Sequence, residues 1–414
     1  MGCQPQETSQ EYGTPIANIK IYQKLRFFNR LMLERKSFMQ NQAVIIQIEH
    51  FQQLIDNLIT QGYQTLAPTI KDNTVIYDEI TKADEMPIGW IDEQEGGFYR
   101  LKKNSTETFF SYTVAANSWK KYLHPPKVKL WQITKKSNQE MQFTSENKFS
   151  GKLAFIGVRS CELNAILIQD RIFLEDKFVD PIYAERRKDL FILAVNCARA
   201  VNTCFCVSMN TGPKAEKGFD LALTEIFTEK EHKFLVEIGT EKGKNILENI
   251  PYKESRLEDQ ELAQNITETT IKQMGRKLDT NNLAEIISRS YENASWDEVA
   301  SRCLTCANCT MVCPTCFCTS VQDTTDLTGE IAERWRNWDS CFTLDFSYIH
   351  GGSVRSSTKS RYRQWMTHKL SSWMEQFDTL GCVGCGRCIS WCPVGIDITE
   401  QAKIIRQEDQ RKKL

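Results

Sequence analysis

From residue 51 the chain reads FQQLIDNLITQGY, with Phe51, Leu54, Ile55, Leu58 and Ile59 apolar at i, i+3, i+4, i+7 and i+8. That spacing predicts a helix laid on a core, and Gly62 supplies its stop. Mixed helical spacing extends back to residue 16. From 63 to 150 the period shortens. TVIYDEI, GGFYRL and VKLWQIT alternate between breaks at Gly, Pro and Asn, which predicts strands and loops, with HPP at 124–126 as a rigid connector. Two uniformly apolar runs follow, KLAFIGVR at 152–159 and DLFILAVN at 189–196, with the amphipathic ELNAILIQDRIFLE at 162–175 between them. Buried strands flanking a helix predict a βαβ crossover with both strands parallel in one sheet. Residues 257–300 read as charged helices that lead into a block of cysteines.

The chain has 414 residues, 41% hydrophobic and 25% charged, with a net charge of -1. That length supports two or three globular cores, and the charge gives no bias toward nucleic acid or an anionic membrane. The start, MGCQPQETSQEYG, carries no secretory signal, and Gln6 stands where a myristoylation signal needs Ser or Thr. No run of apolar residues is long enough to span a membrane, so a cytoplasmic location is expected. Sixteen cysteines, tightly clustered and without an export signal, favour metal ligation over disulfides. The five histidines are scattered, which argues against haem and His-rich zinc sites.

Two runs share one template. Cys303, Cys306, Cys309 and Cys313 precede Pro314, and Cys382, Cys385, Cys388 and Cys392 precede Pro393, so each reads C-x2-C-x2-C-x3-C-P. Three cysteines at that interval wrap three corners of a 4Fe-4S cubane, and the fourth passes to the other cluster. The ligand sets are therefore expected to cross, with Cys303, Cys306, Cys309 and Cys392 on one cluster and Cys382, Cys385, Cys388 and Cys313 on the other. Structural zinc sites use separated C-x2-C pairs and leave no role for a third cysteine at this interval. The 68 residues between Cys313 and Cys382 exceed a compact bacterial ferredoxin and hold helix-like stretches, GEIAERWRNW and YRQWMTHKLSSWMEQF. Trp335, Trp338, Trp365 and Trp373 there either shield the clusters or fill ordinary helix core. The whole pattern predicts an α+β fold. An N-terminal helical or mixed segment spans 1–84 and an α/β domain with the parallel βαβ unit spans 85–255. A helical two-cluster ferredoxin-like domain spans 256–414.

Four further cysteines belong to the middle region: Cys161 after the first buried strand, Cys197 after the second, and Cys204 and Cys206 in the next loop. Parallel strands deliver their carboxyl ends to one sheet edge, so these thiols are expected to converge. Four thiolates suit zinc, a third 4Fe-4S cluster or no metal at all. Two other clusters in the same chain favour the third cluster. Cys316, Cys318 and Cys341 are left over, either packed as small hydrophobes or serving a further centre.

The blocks GVRSCELNAI, TCFCVSMNTGP with GFDLALTEI, RCLTCANCTMVCPTCFC, WDSCFTLDFS, SRYRQWMTHK and CVGCGRCISWCPVGIDI resemble the beta subunit of cytoplasmic sulfhydrogenases (NADP-linked nickel-iron hydrogenases). They also resemble the related 4Fe-4S dicluster subunit of anaerobic sulfite reductase. The resemblance covers residues 85–414 well and the first eighty weakly. Glu162 stands where that family commonly carries Asp. The resemblance implies an electron-transferring component working beside two others: a flavin- and NAD(P)-binding subunit, and a catalytic hydrogenase or sulfur/sulfite reductase subunit. It carries the cluster ligands onto the eight ferredoxin cysteines and the middle four. No dinucleotide, Walker, G-x-S-x-G or HExxH motif occurs, so no catalytic residue is assigned and enzyme activity of the chain alone is left open. The rival function is a redox-sensing regulator that binds nucleic acid, which the net charge of -1 argues against.

Overall fold

The run Phe191–Val195 is apolar and buried at every position, as a strand must be when both faces of its sheet are covered. It sits within an eight-stranded sheet. The computed structural model describes residues 43–136, 140–145, 149–175 and 178–412. The helical spacing expected over residues 16–42 and the tail around Cys3 lie outside the described residues. Across the sheet the strands run Tyr252–Glu254, Ala43–Gln47, His232–Ile238, Leu221–Phe227, Phe191–Val195, Lys152–Arg159, Tyr63–Lys71 and Thr74–Glu79. The four from Leu221–Phe227 to Tyr63–Lys71 are parallel neighbours. The outer pairs are antiparallel.

Alternate side chains of these strands feed two cores. Ile156, Leu193 and Leu221 join the helix Phe51–Thr60 on one face, while Phe155, Ile192 and Ala222 join the helix Ser160–Leu174 on the other. Phe51, Leu54, Ile55 and Leu58 are buried in the first helix as its spacing predicts, whereas Ile59 is 39% exposed. Gly62 closes that helix in the left-handed region at φ +82°. The helix Ser160–Leu174 leaves the carboxyl end of Lys152–Arg159, and Cys197 lies two residues beyond Phe191–Val195. Because these two strands pair in parallel, Cys161 and Cys197 come to the same edge of the sheet.

A second, four-stranded sheet corrects one sequence expectation. The stretch GEIAERWRNW, expected to be helical, contains the strand Ile331–Trp338, which pairs antiparallel with Thr319–Thr325 on one side and Lys127–Lys135 on the other. Cross-strand contacts decide the outcome. Trp335 stacks under the Lys127 and Lys129 ammoniums at 4.6 and 5.6 Å, and Arg334 covers the Trp131 ring at 5.0 Å. Such pairs across a ladder outweigh the helical propensity of Glu, Arg and Ala. Part of the insert is thus sheet, and that sheet includes a strand from before the parallel unit.

The remaining C-terminal segments are helical: Leu257–Lys272, Leu283–Arg289, Ser295–Arg302, Thr358–Thr367 and Ile398–Arg411, among others. Their core is built around Trp296, Tyr362, Trp365, Leu370, Ile389 and Ile405, with Cys303, Cys309, Cys382, Cys388 and Cys392 packed against it. Among the described residues no helix is long and apolar enough to cross a membrane.

Candidate metal centres

Each cysteine run turns through two left-handed residues at matching places. In the first run they are Thr305 at φ +51° and Ala307 at φ +65°; in the second they are Gly384 at φ +65° and Gly386 at φ +75°. Left-handed backbone at alternate positions bends the C-x2-C-x2-C segment so that its three thiols face inward. The short helices Asn308–Met311 and Arg387–Ser390 follow in the two runs. Glycine is required only in the second run. A Cβ at Gly384 would stand 2.6 Å from the Phe205 carbonyl carbon and oxygen, and one at Gly386 would stand 2.4 Å from the Thr203 oxygen. The loop Thr203–Cys206 lies against this run, and Phe205 N donates to the Gly384 oxygen at 2.9 Å.

The fourth cysteines cross between the runs. The thiols acting most strongly on Cys309 are Cys303, Cys392 and Cys306, while those acting on Cys388 are Cys382, Cys385 and Cys313. The first group surrounds a cavity lined by Cys303, Cys306, Cys309 and Cys392 together with Phe342 and Trp365, and Cys388 of the second group reaches the same cavity. Cys306 is exposed at its rim. Of the four tryptophans noted in the insert, Trp365 and Trp373 are buried. Trp335 and Trp338 instead stand on the second sheet.

The middle four also converge. Cys161 is most affected by Cys206, Cys385 and then Cys197 among its thiol neighbours, and Cys204 by Cys197 and Cys385. Cys385 belongs to the second run, so the middle group and that run are immediate neighbours. The Arg159 guanidinium hydrogen-bonds to Cys197 and is itself held by the carbonyls of Phe110 and Tyr112 at 2.8 and 2.6 Å.

Burial pushes most of these thiols upward: Cys204 and Cys382 to about 12, and Cys161, Cys206, Cys309 and Cys388 well above the ordinary thiol range. Neighbouring thiols add to the effect. A buried group of four thiols cannot become four thiolates without a cation among them, so the site is arranged for metal. Among the described residues no three Cys, His, Asp or Glu side chains are grouped to hold a single bare ion. The cavity's donors are soft sulfurs set among apolar side chains, with no imidazole among its described lining residues, which fits an iron-sulfur core.

Sequence reasoning missed two features. The first is Arg387, between Cys385 and Cys388, fully buried and ion-paired with Glu162, the residue after Cys161. Glu162 also accepts from Tyr77 Oη at 2.9 Å and Trp119 Nε1 at 3.2 Å. Both residues were visible inside cysteine motifs, but nothing in their spacing reveals the pairing. The second is that the left-over cysteines have thiol partners, Cys316 beside Cys313 and Cys318 beside Cys341. A hydrogen bond from Cys316 holds the Cys313 thiol well below its ordinary range, and one from Cys341 brings Cys318 down to about 7.

Residues 302–396 match the 4Fe-4S dicluster domain family. Over 362 residues the chain is 28% identical to the sulfhydrogenase 2 subunit beta of Pyrococcus furiosus, an alignment covering 87% of this chain and 97% of that protein. No solved structure matches. Residues 302–396 therefore carry a 4Fe-4S dicluster domain, within a chain similar along most of its length to a sulfhydrogenase beta subunit.

Proposed function

We propose that the chain is an electron-relay subunit of a multisubunit oxidoreductase. One 4Fe-4S cluster is held by Cys303, Cys306, Cys309 and Cys392, a second by Cys382, Cys385, Cys388 and Cys313, and a third by Cys161, Cys197, Cys204 and Cys206. The observation that carries this reading is the serial proximity of three four-thiol groups, the first close to the second at Cys309 and Cys388, and the second close to the third at Cys385. Each cluster supplies reversible one-electron chemistry when bound. The protein's part is spacing, exclusion of water and charge balance. Phe342, Tyr362 and Trp365 keep the first site apolar, and the Arg387–Glu162 pair fixes the second site against the third.

Exposed Cys306 marks one end of the relay as accessible from the surface. The partners are a flavin- and NAD(P)-binding subunit on one side and a catalytic subunit on the other. The similarity to a sulfhydrogenase subunit favours hydrogen or sulfur metabolism for the latter. Anaerobic purification with iron and sulfide analysis tests the reading, with about 12 of each per chain expected for three cubanes. Colourless protein carrying zinc and no sulfide would sink it.

A further inference from the structure

Two lysines are almost wholly buried beside the thiols of the second centre, Lys120 and Lys369, each 4% exposed. Among the described residues neither is ion-paired to a carboxylate. Lys369 Nζ donates to Cys313 Sγ at 3.3 Å, Thr315 Oγ1 at 3.2 Å and the Gly381 oxygen at 3.1 Å. Those three acceptors use all three ammonium protons, so the charge is held in one orientation. Lys120 Nζ donates to the Cys316 oxygen at 3.0 Å and lies 3.9 Å over the Trp338 ring.

The fold holds Lys369 tightly. It occupies a π-helical stretch, His368–Ser372, interrupting the helices Thr358–Thr367 and Trp373–Phe377, a distortion that costs helix geometry and is common at functional positions. Gly381 N donates back to the Lys369 oxygen at 2.8 Å, and a Cβ at Gly381 would stand 2.6 Å from the Trp373 ring. An ammonium stripped of water and given no carboxylate requires another anion. The sulfur of Cys313 is the one it touches.

We propose that Lys369, backed by Lys120, sets the reduction potential of the centre served by Cys313, raising it by placing fixed positive charge and a hydrogen bond on one ligand sulfur. Adding an electron to a four-thiolate cluster increases its negative charge, so a nearby cation favours the reduced form. This inference rests on the relay reading above and goes beyond it by assigning a potential-setting residue.

The test is a potentiometric titration of the holoprotein, followed by electron paramagnetic resonance, with iron and sulfide counted in each sample. In Lys369→Gln one centre should shift to lower potential by at least tenfold in its reduced-to-oxidised ratio, about 59 mV for a one-electron couple, while the other centres hold. Lys369→Arg should stay near the wild type. A full iron content with unchanged potentials in Lys369→Gln overturns the proposal and leaves the relay standing. Wild-type protein lacking iron and sulfide overturns the relay itself. If Lys369→Gln loses iron, Lys120→Gln decides, because it removes a charge that touches no ligand side chain. The same centre must then shift down by a smaller amount, and an unmoved potential overturns the proposal.

Discussion

Glu162 and Arg387 show how much one side chain can carry. Both are buried, and they join the helix that bears Cys161 to the turn that bears Cys385 and Cys388. Removing one partner of a buried pair strands the other's charge, at a cost of about 3–5 kcal/mol. Glu162→Gln should lower the denaturation midpoint of the holoprotein accordingly, while Glu162→Asp, which keeps the charge on a shorter arm, should lose less. Chemical denaturation of the three proteins side by side checks this. The left-handed turns give a second contrast. The conformation of Ala307 costs about 1–2 kcal/mol, so Ala307→Gly should be neutral or stabilising. Gly386→Ala incurs the same cost and also pushes a methyl group into the Thr203 oxygen. It should fail to retain full iron.

Among the elements, the short helix Lys120–Leu123 and its exit at His124 hold an acid-sensitive contact. His124 is buried and stacked on Phe173 at 4.8 Å, and among the described residues neither of its ring nitrogens has a hydrogen-bond partner. Burial first, then the charges of Arg336 and Lys120, bring its pKa down to about 3. The unfolded chain takes up a proton near the ordinary histidine value of about 6.5, and the folded chain does not. Stability from this group is therefore complete above about pH 6.5 and falls as pH drops toward 3, by at most about 1.4 kcal/mol per pH unit. His124→Phe should flatten that loss between pH 6.5 and 5, as read from denaturation midpoints. Elements whose signal is local were legible in the sequence. The Phe51–Thr60 helix, the strands Lys152–Arg159 and Phe191–Val195, and the helix Leu257–Lys272 all follow from periodicity. Ile331–Trp338 was not, because one of its two partner strands lies some two hundred residues earlier, and the contacts of Arg334 and Trp335 with Lys127–Lys135 are invisible to local periodicity.

For the whole molecule, the cysteine spacing carried the expectation of crossed thiol groups, since a cubane imposes its geometry on the chain. What spacing could not carry was everything that converges from far apart: the buried cations, the contact of the Thr203–Cys206 loop with Gly384 and Gly386, and the company of Cys316, Cys318 and Cys341. The C-terminal helices share their core with five cysteines of the two runs, whereas the eight-stranded sheet has cores of its own. Stripping the metal with a chelator should therefore expose residues 283–411 first. Hydrogen exchange followed by mass spectrometry should show rapid labelling there while Lys152–Arg159 and Phe191–Val195 stay protected.

The Thr203–Cys206 loop rests on the second cysteine turn with no room for even a methyl group between them. Tunnelling falls off steeply with separation, and in the proposed relay the gap between the second and third stations would be set by backbone in van der Waals contact. Traffic between those stations would then need no hinge to close. On that proposal, whatever meters the current acts where the relay meets its partners.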